Sequence, residues 1–228
     1  RLVIALGIAG CVITAGCDLS AGRMIGFGAC ISGMLLQRMD YSGKFFPDMQ
    51  PLNVFVVALI AMLVCAAFGT VTGFFIAYLN VPPFIATLAM MEIVYGIGLI
   101  VTNATPLGGY VEQYTNVSNG KFLGINYLIW IAIIVAAITW FIFNMTRHGK
   151  YMYAIGGNPQ AAEVAGVPVK ATLILIYMKA AAMYGLAGFM LGAKAGGASV
   201  QTGYGYEMEA IAACTIGGVS VTGGRGKV

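Results

Sequence analysis

The sequence predicts an all-α, polytopic transmembrane helix bundle that contains broken or re-entrant short helices. Composition indicates the membrane, because 60% of the 228 residues are hydrophobic and 9% are charged, whereas soluble domains carry roughly a quarter charged residues. Long apolar runs predict the spans, and short apolar runs beside glycines and acidic residues predict the breaks. The net charge of +4 is scattered along the chain, which argues against a nucleic-acid partner.

Four apolar runs are long enough to cross a bilayer as helices, which takes about 20 residues. They cover residues 52–79, 84–101, 122–143 and 171–195. Pro82 and Pro83 lie between the first two runs, where a helix cannot continue, so they predict a tight turn. Glycines spaced four residues apart, such as Gly188 and Gly192, predict close contact between helix backbones.

Three further apolar runs are too short to span comfortably: 2–15, 24–36 and 210–221. The first ends at "GCDLSAGR", and the third follows "QTGYGYEME". Irregular backbone at membrane depth is tolerated only where protein or a water-filled cavity surrounds it. Two breaks of this kind in one chain, one at each of the two quoted polar stretches, predict a pathway across the membrane rather than a simple anchor. The alternative is ordinary spans that begin or end early, with tight turns between them.

Basic residues in short loops predict the orientation, because cytoplasmic loops carry an excess of lysine and arginine. The segment 144–170 holds three of them and Arg23 adds a fourth, so we place this segment in the cytoplasm and 37–51 and 103–121 outside. Residues 1–228 form a single predicted transmembrane domain. Because the chain starts inside an apolar run and stops in a Gly-rich turn, we expect it to be a piece of a longer polypeptide.

No set of residues predicts catalysis or a metal site. His148 is the only histidine, and neither a CxxC pair nor an HExxH, paired-aspartate or GxSxG motif occurs. The four Gly-Lys pairs lack the other residues of a phosphate-binding loop. We therefore predict no enzyme, no catalytic residue, no metal and no cofactor in this chain, and a solvated His148. Any ATP is expected to be bound by another subunit.

Ionisable residues in apolar surroundings are the remaining chemical signal, since they are costly in lipid and usually face a cavity or a partner. The candidates for a translocation pathway are Asp18 at the first short run, Glu92 within one predicted span and Lys179 within another. Capping of the next helix is the alternative role of Asp18, and Lys179 is a candidate partner of Glu92. Arg23 is expected to pair with Asp18 or to mark the membrane surface.

Two other groups near the third short run have ordinary explanations. Tyr204 and Tyr206, like other tyrosines near the predicted outer loops, suit either a membrane interface or stacking on a sugar, and the interfacial role is the expected one. Glu207 and Glu209 precede the short run, and acidic residues are favourable in the first turn of a helix. We therefore expect a helix to begin near them.

The stretch "YAIGGNPQAAEVAGVPVK", residues 153–170, predicts a short capped helix between two spans. Asn158 can cap a helix whose first position is Pro159, Gly166 ends it and Pro168 prevents its continuation. Such a helix suits docking into a groove on another protein, and a push on it would reach both flanking spans. The alternative is a surface helix without a partner.

This stretch resembles the cytoplasmic coupling segment of permeases from bacterial sugar ABC importers of the ribose/xylose/galactose group. The stretches "ALGIAGCVITAGCDLSAGR", "IAYLNVPPFIATL" and "MEAIAACTIGGVSVTGGRG" are similar to further signature stretches of that group, in the same order. The resemblance covers essentially the whole chain. The form "DLSAGR" and the loop "QRMDYSGKFFPDM" resemble most the galactose/methyl-galactoside members.

The resemblance implies a multi-pass permease subunit of the bacterial inner (plasma) membrane. It would translocate a monosaccharide (galactose, methyl galactoside or a related sugar), driven by ATP hydrolysis on a separate subunit. The implied partners are an ATP-binding cassette ATPase, a periplasmic sugar-binding protein, a second permease in a homodimer, and membrane lipid. The residues expected to dock the ATPase are Gly156, Gly157, Asn158, Ala161, Ala162, Glu163 and Gly166.

Two other functions are weighed against this one. In an ion- or proton-coupled secondary transporter, Asp18 or Glu92 would bind the coupling ion, but the capped helix would have no purpose. A non-transporting membrane scaffold would explain the glycine spacing and would leave the charges in apolar surroundings unexplained.

Overall fold

The computed structural model describes residues 1–226; the last two residues of the predicted domain 1–228 lie outside the described residues. Residues 1–226 form ten α-helices and one two-stranded hairpin. These are α1 (Leu2–Ile13), α2 (Ala21–Leu35), α3 (Val54–Tyr78), α4 (Pro83–Thr102), α5 (Glu112–Asn119), β1 (Lys121–Phe122), β2 (Ile125–Asn126), α6 (Tyr127–Met145), α7 (Arg147–Gly157), α8 (Pro159–Val164), α9 (Val169–Ala195) and α10 (Tyr206–Ile216). The predicted all-α fold class is confirmed.

Helices α3, α4, α6 and α9 are long and apolar enough to cross a membrane. The predicted bounds are accurate to within two residues for α3, α4 and α9. The predicted start of α6 is wrong, because Phe122 belongs to β1 and the helix begins at Tyr127. Gly124, with a φ of +79°, turns the chain between the strands. Asn126 then caps α6 by accepting a hydrogen bond from the Leu128 amide at 2.8 Å.

Helix α9 lies at the centre of the bundle and runs antiparallel to α3. A Cβ atom at Gly73 would lie 2.7 Å from the Cα of Ile174, and one at Gly185 would collide with the Ala61 carbonyl. On another side of α9, Gly188 lies against the backbone of α2. The glycines therefore bring three helix backbones into contact, as their spacing predicts.

The ends of the spans define two sides of the bundle. Helices α7 and α8 connect the end of α6 to the start of α9, on what we call the α8 side. Helix α5 and the hairpin precede α6 on the opposite side, which we call the α5 side. The turn between α3 and α4 also lies on the α8 side, because the Lys170 ammonium is 5.1 Å from the ring of Tyr78.

Two non-helical segments lie between helices inside the bundle. The first break, residues 14–20, separates α1 from α2; at 1.5 Å per residue these helices are about 18 and 22 Å long, shorter than a hydrocarbon core of about 30 Å. The second break, residues 196–205, connects α9 to α10. It packs against Gly22 and Gly26 of α2 and against Gly98 of α4. Protein therefore surrounds this irregular backbone, as its position requires.

Candidate functional site

Helix α8 has the capped form that its sequence predicts. The side-chain oxygen of Asn158 accepts a hydrogen bond from the Ala161 amide at 3.0 Å, and Pro159 occupies the first helical position. The chain leaves the helix through Gly166, whose φ is +84°. Because an L-residue with a side chain rarely adopts this conformation, glycine is the favoured residue here.

The seven residues expected to dock an ATPase divide into an exposed and a buried set. The exposed residues are Gly157, Asn158, Ala161, Glu163 and Gly166. The buried ones, Gly156 and Ala162, lie beneath this surface. Val164, which sequence analysis did not single out, is 92% exposed. A branched apolar residue at the end of a short capped helix was the signal that could have identified it.

The end of α7 contacts both the end of α1 and the turn 217–226. A Cβ atom at Gly156 would collide with the carbonyl oxygen of Ile13. That oxygen also accepts a hydrogen bond from the Gly224 amide at 2.8 Å. The Tyr153 hydroxyl donates to the Gly226 carbonyl at 3.1 Å. Helix α8 is thus joined through α7 to the residue that immediately precedes the first break.

Asp18 lies inside the first break and is 2% exposed. Its Oδ1 accepts hydrogen bonds from the Ser20 amide at 3.0 Å and from the Ser20 hydroxyl at 2.6 Å, and its Oδ2 accepts one from the Tyr184 hydroxyl at 3.1 Å. Ser20 is the N-cap residue of α2 but makes no side-chain capping bond. Asp18 therefore fixes the turn before α2 and links it to α9, and the side-chain cap that was its alternative role is not formed.

Glu92 and Lys179 lie on different helices and form no ion pair among residues 1–226. Glu92 is exposed on α4, whereas Lys179 is partly buried on α9. The ion pairs of the described chain are Arg1–Glu209, at 3.0 Å, and Arg38–Asp40, at 3.6 Å. The structure thus does not pair Glu92 with Lys179. Glu207 and Glu209 lie in the first turn of α10, where we expected a helix to begin.

His148 lies in α7 and lines a small cavity together with Lys179 and Thr139. The expectation that it is solvated is wrong, because its side chain is partly buried. Burial, and to a lesser extent the charge of Lys179, lowers the pKa of His148 to about 4. The imidazole is therefore neutral at physiological pH.

Arg23 lies at membrane depth, and both roles expected for it are wrong. It is the third residue of α2 and lies twelve residues from Leu35, at the α5 side, which is about 18 Å along the helix axis. Its guanidinium contacts Gln201 at 2.8 Å and lies over the rings of Tyr95 and Tyr204. It neither pairs with Asp18 nor belongs to a loop on the α8 side.

Discontinuous helices, ionisable residues at membrane depth and an exposed capped helix between two spans define a polytopic membrane transport protein. Residues 2–224 match the protein family described as "Branched-chain amino acid transport system / permease component". The chain belongs to this family. It is a multi-pass permease component of the bacterial inner membrane.

The sequence matches to curated relatives extend over essentially the whole chain. The galactose/methyl galactoside import permease proteins MglC of Escherichia coli K12 and Haemophilus influenzae are each 43% identical over 235 residues, which is 100% of this chain and 70% of the relative. The ribose import permease protein RbsC of Escherichia coli K12 is 32% identical over 230 residues, 99% of this chain and 68% of the relative. No solved structure matches the chain.

Proposed function

We propose that the chain is the permease subunit of an ATP-binding cassette importer for a monosaccharide (galactose, methyl galactoside or a related sugar). The names of the relatives that are 43% identical support this class of sugar. The observation that carries the proposal is the exposed, capped helix α8, which is joined through α7 to the first break. A separate subunit hydrolyses ATP, a periplasmic binding protein delivers the sugar, and two permeases form a homodimer surrounded by lipid.

The α8 side is the cytoplasmic side in this proposal. Arg147, Lys150 and Lys170 are all exposed on this side, and basic residues are favoured in cytoplasmic loops. Without Arg23, the segment 144–170 holds three basic residues and the predicted outer segments 37–51 and 103–121 also hold three. The assignment therefore rests on the exposed helix α8 rather than on the charge count. The α5 side, with α5 and the hairpin, then faces the periplasm and the binding protein.

Docking uses the exposed surface of α8. Val164 supplies an apolar contact that fits a groove on the ATPase, Ala161 permits close approach, and Glu163 provides a carboxylate for a basic residue of the partner. Closure of the ATPase dimer on ATP displaces α8, and the contact between Gly156 and Ile13 passes the displacement to the first break. Packed helices have discrete arrangements, so the bundle switches access from one side to the other.

The ion-coupled alternative has less support. Both oxygens of Asp18 already accept hydrogen bonds, from Ser20 and from Tyr184, which leaves little coordination capacity for an ion. An ion-coupled mechanism also gives helix α8 no role. No observation on Glu92 favours ion coupling over contact with a polar substrate.

Co-purification of the ATPase tests the proposal. The full-length permease is co-expressed with the ABC ATPase of the same organism, unchanged or with Val164→Asp. Leu123→Asp is the matched control, because Leu123 is 79% exposed on the α5 side and has a φ of +52° that aspartate tolerates. We expect Val164→Asp to abolish co-purification and Leu123→Asp to preserve it. Retention of the ATPase by both variants would contradict docking at α8.

A further inference from the structure

Four side chains from three parts of the chain converge beside the second break. The Cζ of Arg23, on α2, lies 3.9 Å from the ring centre of Tyr95, on α4, and 4.3 Å from that of Tyr204. Arg23 donates a hydrogen bond to the side-chain oxygen of Gln201 at 2.8 Å. The side-chain nitrogen of Gln201 donates one to the Tyr95 hydroxyl at 3.1 Å. We call these four residues the Arg23 cluster.

The Arg23 cluster lies well below the α5-side surface. Tyr95 is seven residues from Thr102, at the α5-side end of α4, a distance of about 10 Å along the axis. Arg23 lies about 18 Å from the corresponding end of α2. Glu92, three residues before Tyr95, lies on the same face of α4, still deeper.

This face carries charge but is not covered by the described chain. Tyr204 is 60% exposed, Gln201 and Glu92 are exposed, and Arg23 is partly buried. Within residues 1–226 no carboxylate forms an ion pair with the Arg23 guanidinium. A partly buried arginine and an exposed glutamate at this depth are too costly to face lipid, so they face water or a polar ligand.

Two buried polar atoms, one in Arg23 and one near Gly22, have no hydrogen-bond partner among residues 1–226. The Nε of Arg23 is buried without a hydrogen-bond partner, and so is the Oε2 of Glu207. Glu207 is 6% exposed and packs against Gly22, the residue next to Arg23. Buried polar groups are normally satisfied. One donor and one acceptor are thus left unsatisfied inside the protein beside the cluster.

The chemistry of the cluster suits an uncharged polyol. The guanidinium covers one face of each tyrosine ring, and the exposed part of Tyr204 remains to accept the C–H face of a pyranose. Beyond its bonds to Arg23 and Tyr95, the Gln201 side chain keeps a second N–H and a second lone pair, and the guanidinium offers only donors. The carboxylates of Glu92 and Glu207 disfavour an anion. We propose that the Arg23 cluster is a monosaccharide subsite that the sugar occupies as it crosses the membrane. This inference rests on the proposed function and adds to it the residues that the sugar contacts.

Cysteine labelling tests whether the face that carries the Arg23 cluster is accessible to water and contacts the sugar. The full-length permease, assembled with its ATPase and binding protein in proteoliposomes, carries Tyr204→Cys and is treated with a charged, membrane-impermeant methanethiosulfonate. Leu63→Cys is the control, since Leu63 is 60% exposed in the middle of α3. Four of the five native cysteines are buried, and the parent chain gives the background. We expect Tyr204→Cys to react faster than Leu63→Cys and galactose to slow the reaction. Equal rates, or no effect of galactose, would overturn the subsite.

The ratio of sugar transported to ATP hydrolysed gives a second readout, independent of labelling. For Gln201→Ala, which deletes two hydrogen bonds of the cluster, we expect ATP hydrolysis stimulated by the binding protein to persist and galactose imported per ATP to fall roughly fivefold to tenfold. An unchanged ratio would overturn the subsite while leaving the importer intact. The two proposals can also fail separately. If galactose slows the labelling but uptake does not require ATP, the subsite is supported and the proposed ABC-importer function is contradicted.

Discussion

The hydroxyl of Tyr184 donates a hydrogen bond to the Oδ2 of Asp18 across 3.1 Å, and both side chains are buried. The bond links the first break to α9, the central helix. Helix α8 therefore reaches the first break by two routes, through α7 to Ile13 and through α9 to Asp18. A short helix on the surface is in this way coupled to a buried carboxylate.

Removal of the Tyr184 hydroxyl is expected to destabilise the protein. Tyr184→Phe leaves the Oδ2 of Asp18 without its donor, which costs about 1–3 kcal/mol for a buried group. Tyr177→Phe is the matched control on the same helix, because the Tyr177 hydroxyl is buried and has no hydrogen-bond partner among the described residues. Thermal unfolding in detergent should show a lower Tm for Tyr184→Phe only. Equal losses for the two variants would show that the bond to Asp18 contributes nothing.

A methyl group between α9 and α2 is expected to separate the two helices. In Gly188→Ala the added Cβ would lie 2.8 Å from the Ala29 amide nitrogen and would collide with the Ile25 carbonyl, a backbone clash that costs roughly 1–3 kcal/mol. In Gly96→Ala the new Cβ has no neighbour within 4 Å, and the better helix propensity of alanine stabilises by up to about 1 kcal/mol. Opposite shifts in Tm are therefore predicted. A stable Gly188→Ala would contradict the packing.

Loss of the cap of α8 is expected to weaken docking of the ATPase. Asn158→Ala removes the bond to the Ala161 amide, which stabilises a helix by about 0.5–2 kcal/mol. Hydrogen exchange at the α8 amides should accelerate, and less ATPase should co-purify. Asn158→Asp retains a capping oxygen and should restore both. If Asn158→Asp fails to rescue while α8 remains protected, the side chain contacts the partner directly.

His148 is expected to make stability depend on pH. Its pKa in the folded protein is about 4, below the ordinary value of 6.5. Between these pH values the unfolded chain binds a proton that the folded chain does not. Its contribution to the free energy of unfolding is therefore undiminished above pH 6.5 and decreases as the pH falls towards 4. His148→Gln should flatten Tm against pH in this window. An unchanged profile would show that His148 does not titrate there.

Sequence alone predicted the parts of this fold that depend on local patterns. Hydropathy and length predict α3, α4 and α9 to within two residues, and side-chain chemistry predicts the cap at Asn158 and the stop at Gly166. The apolar run before α6 was misleading, because Phe122 and Ile125 are as apolar as the helix that follows, and only pairing between strands separates them from it.

The sequence could not show which residues meet in space. Arg23 and Gln201 are 178 residues apart, and no periodicity relates a residue of α2 to the second break. The contact depends on Gly22, Gly26 and Gly98, which let the break pack between two helices. Likewise, nothing local shows that Ala162 is buried.

Galactose uptake into proteoliposomes that contain the full-length permease, its ATPase and its binding protein tests the central claim most directly. The claim is that α8 couples ATP hydrolysis to transport. With a protonophore present, we predict uptake that requires ATP on the α8 side and is lost in Val164→Asp. Uptake that continues without ATP and stops with the protonophore would contradict the account and favour an ion-coupled transporter.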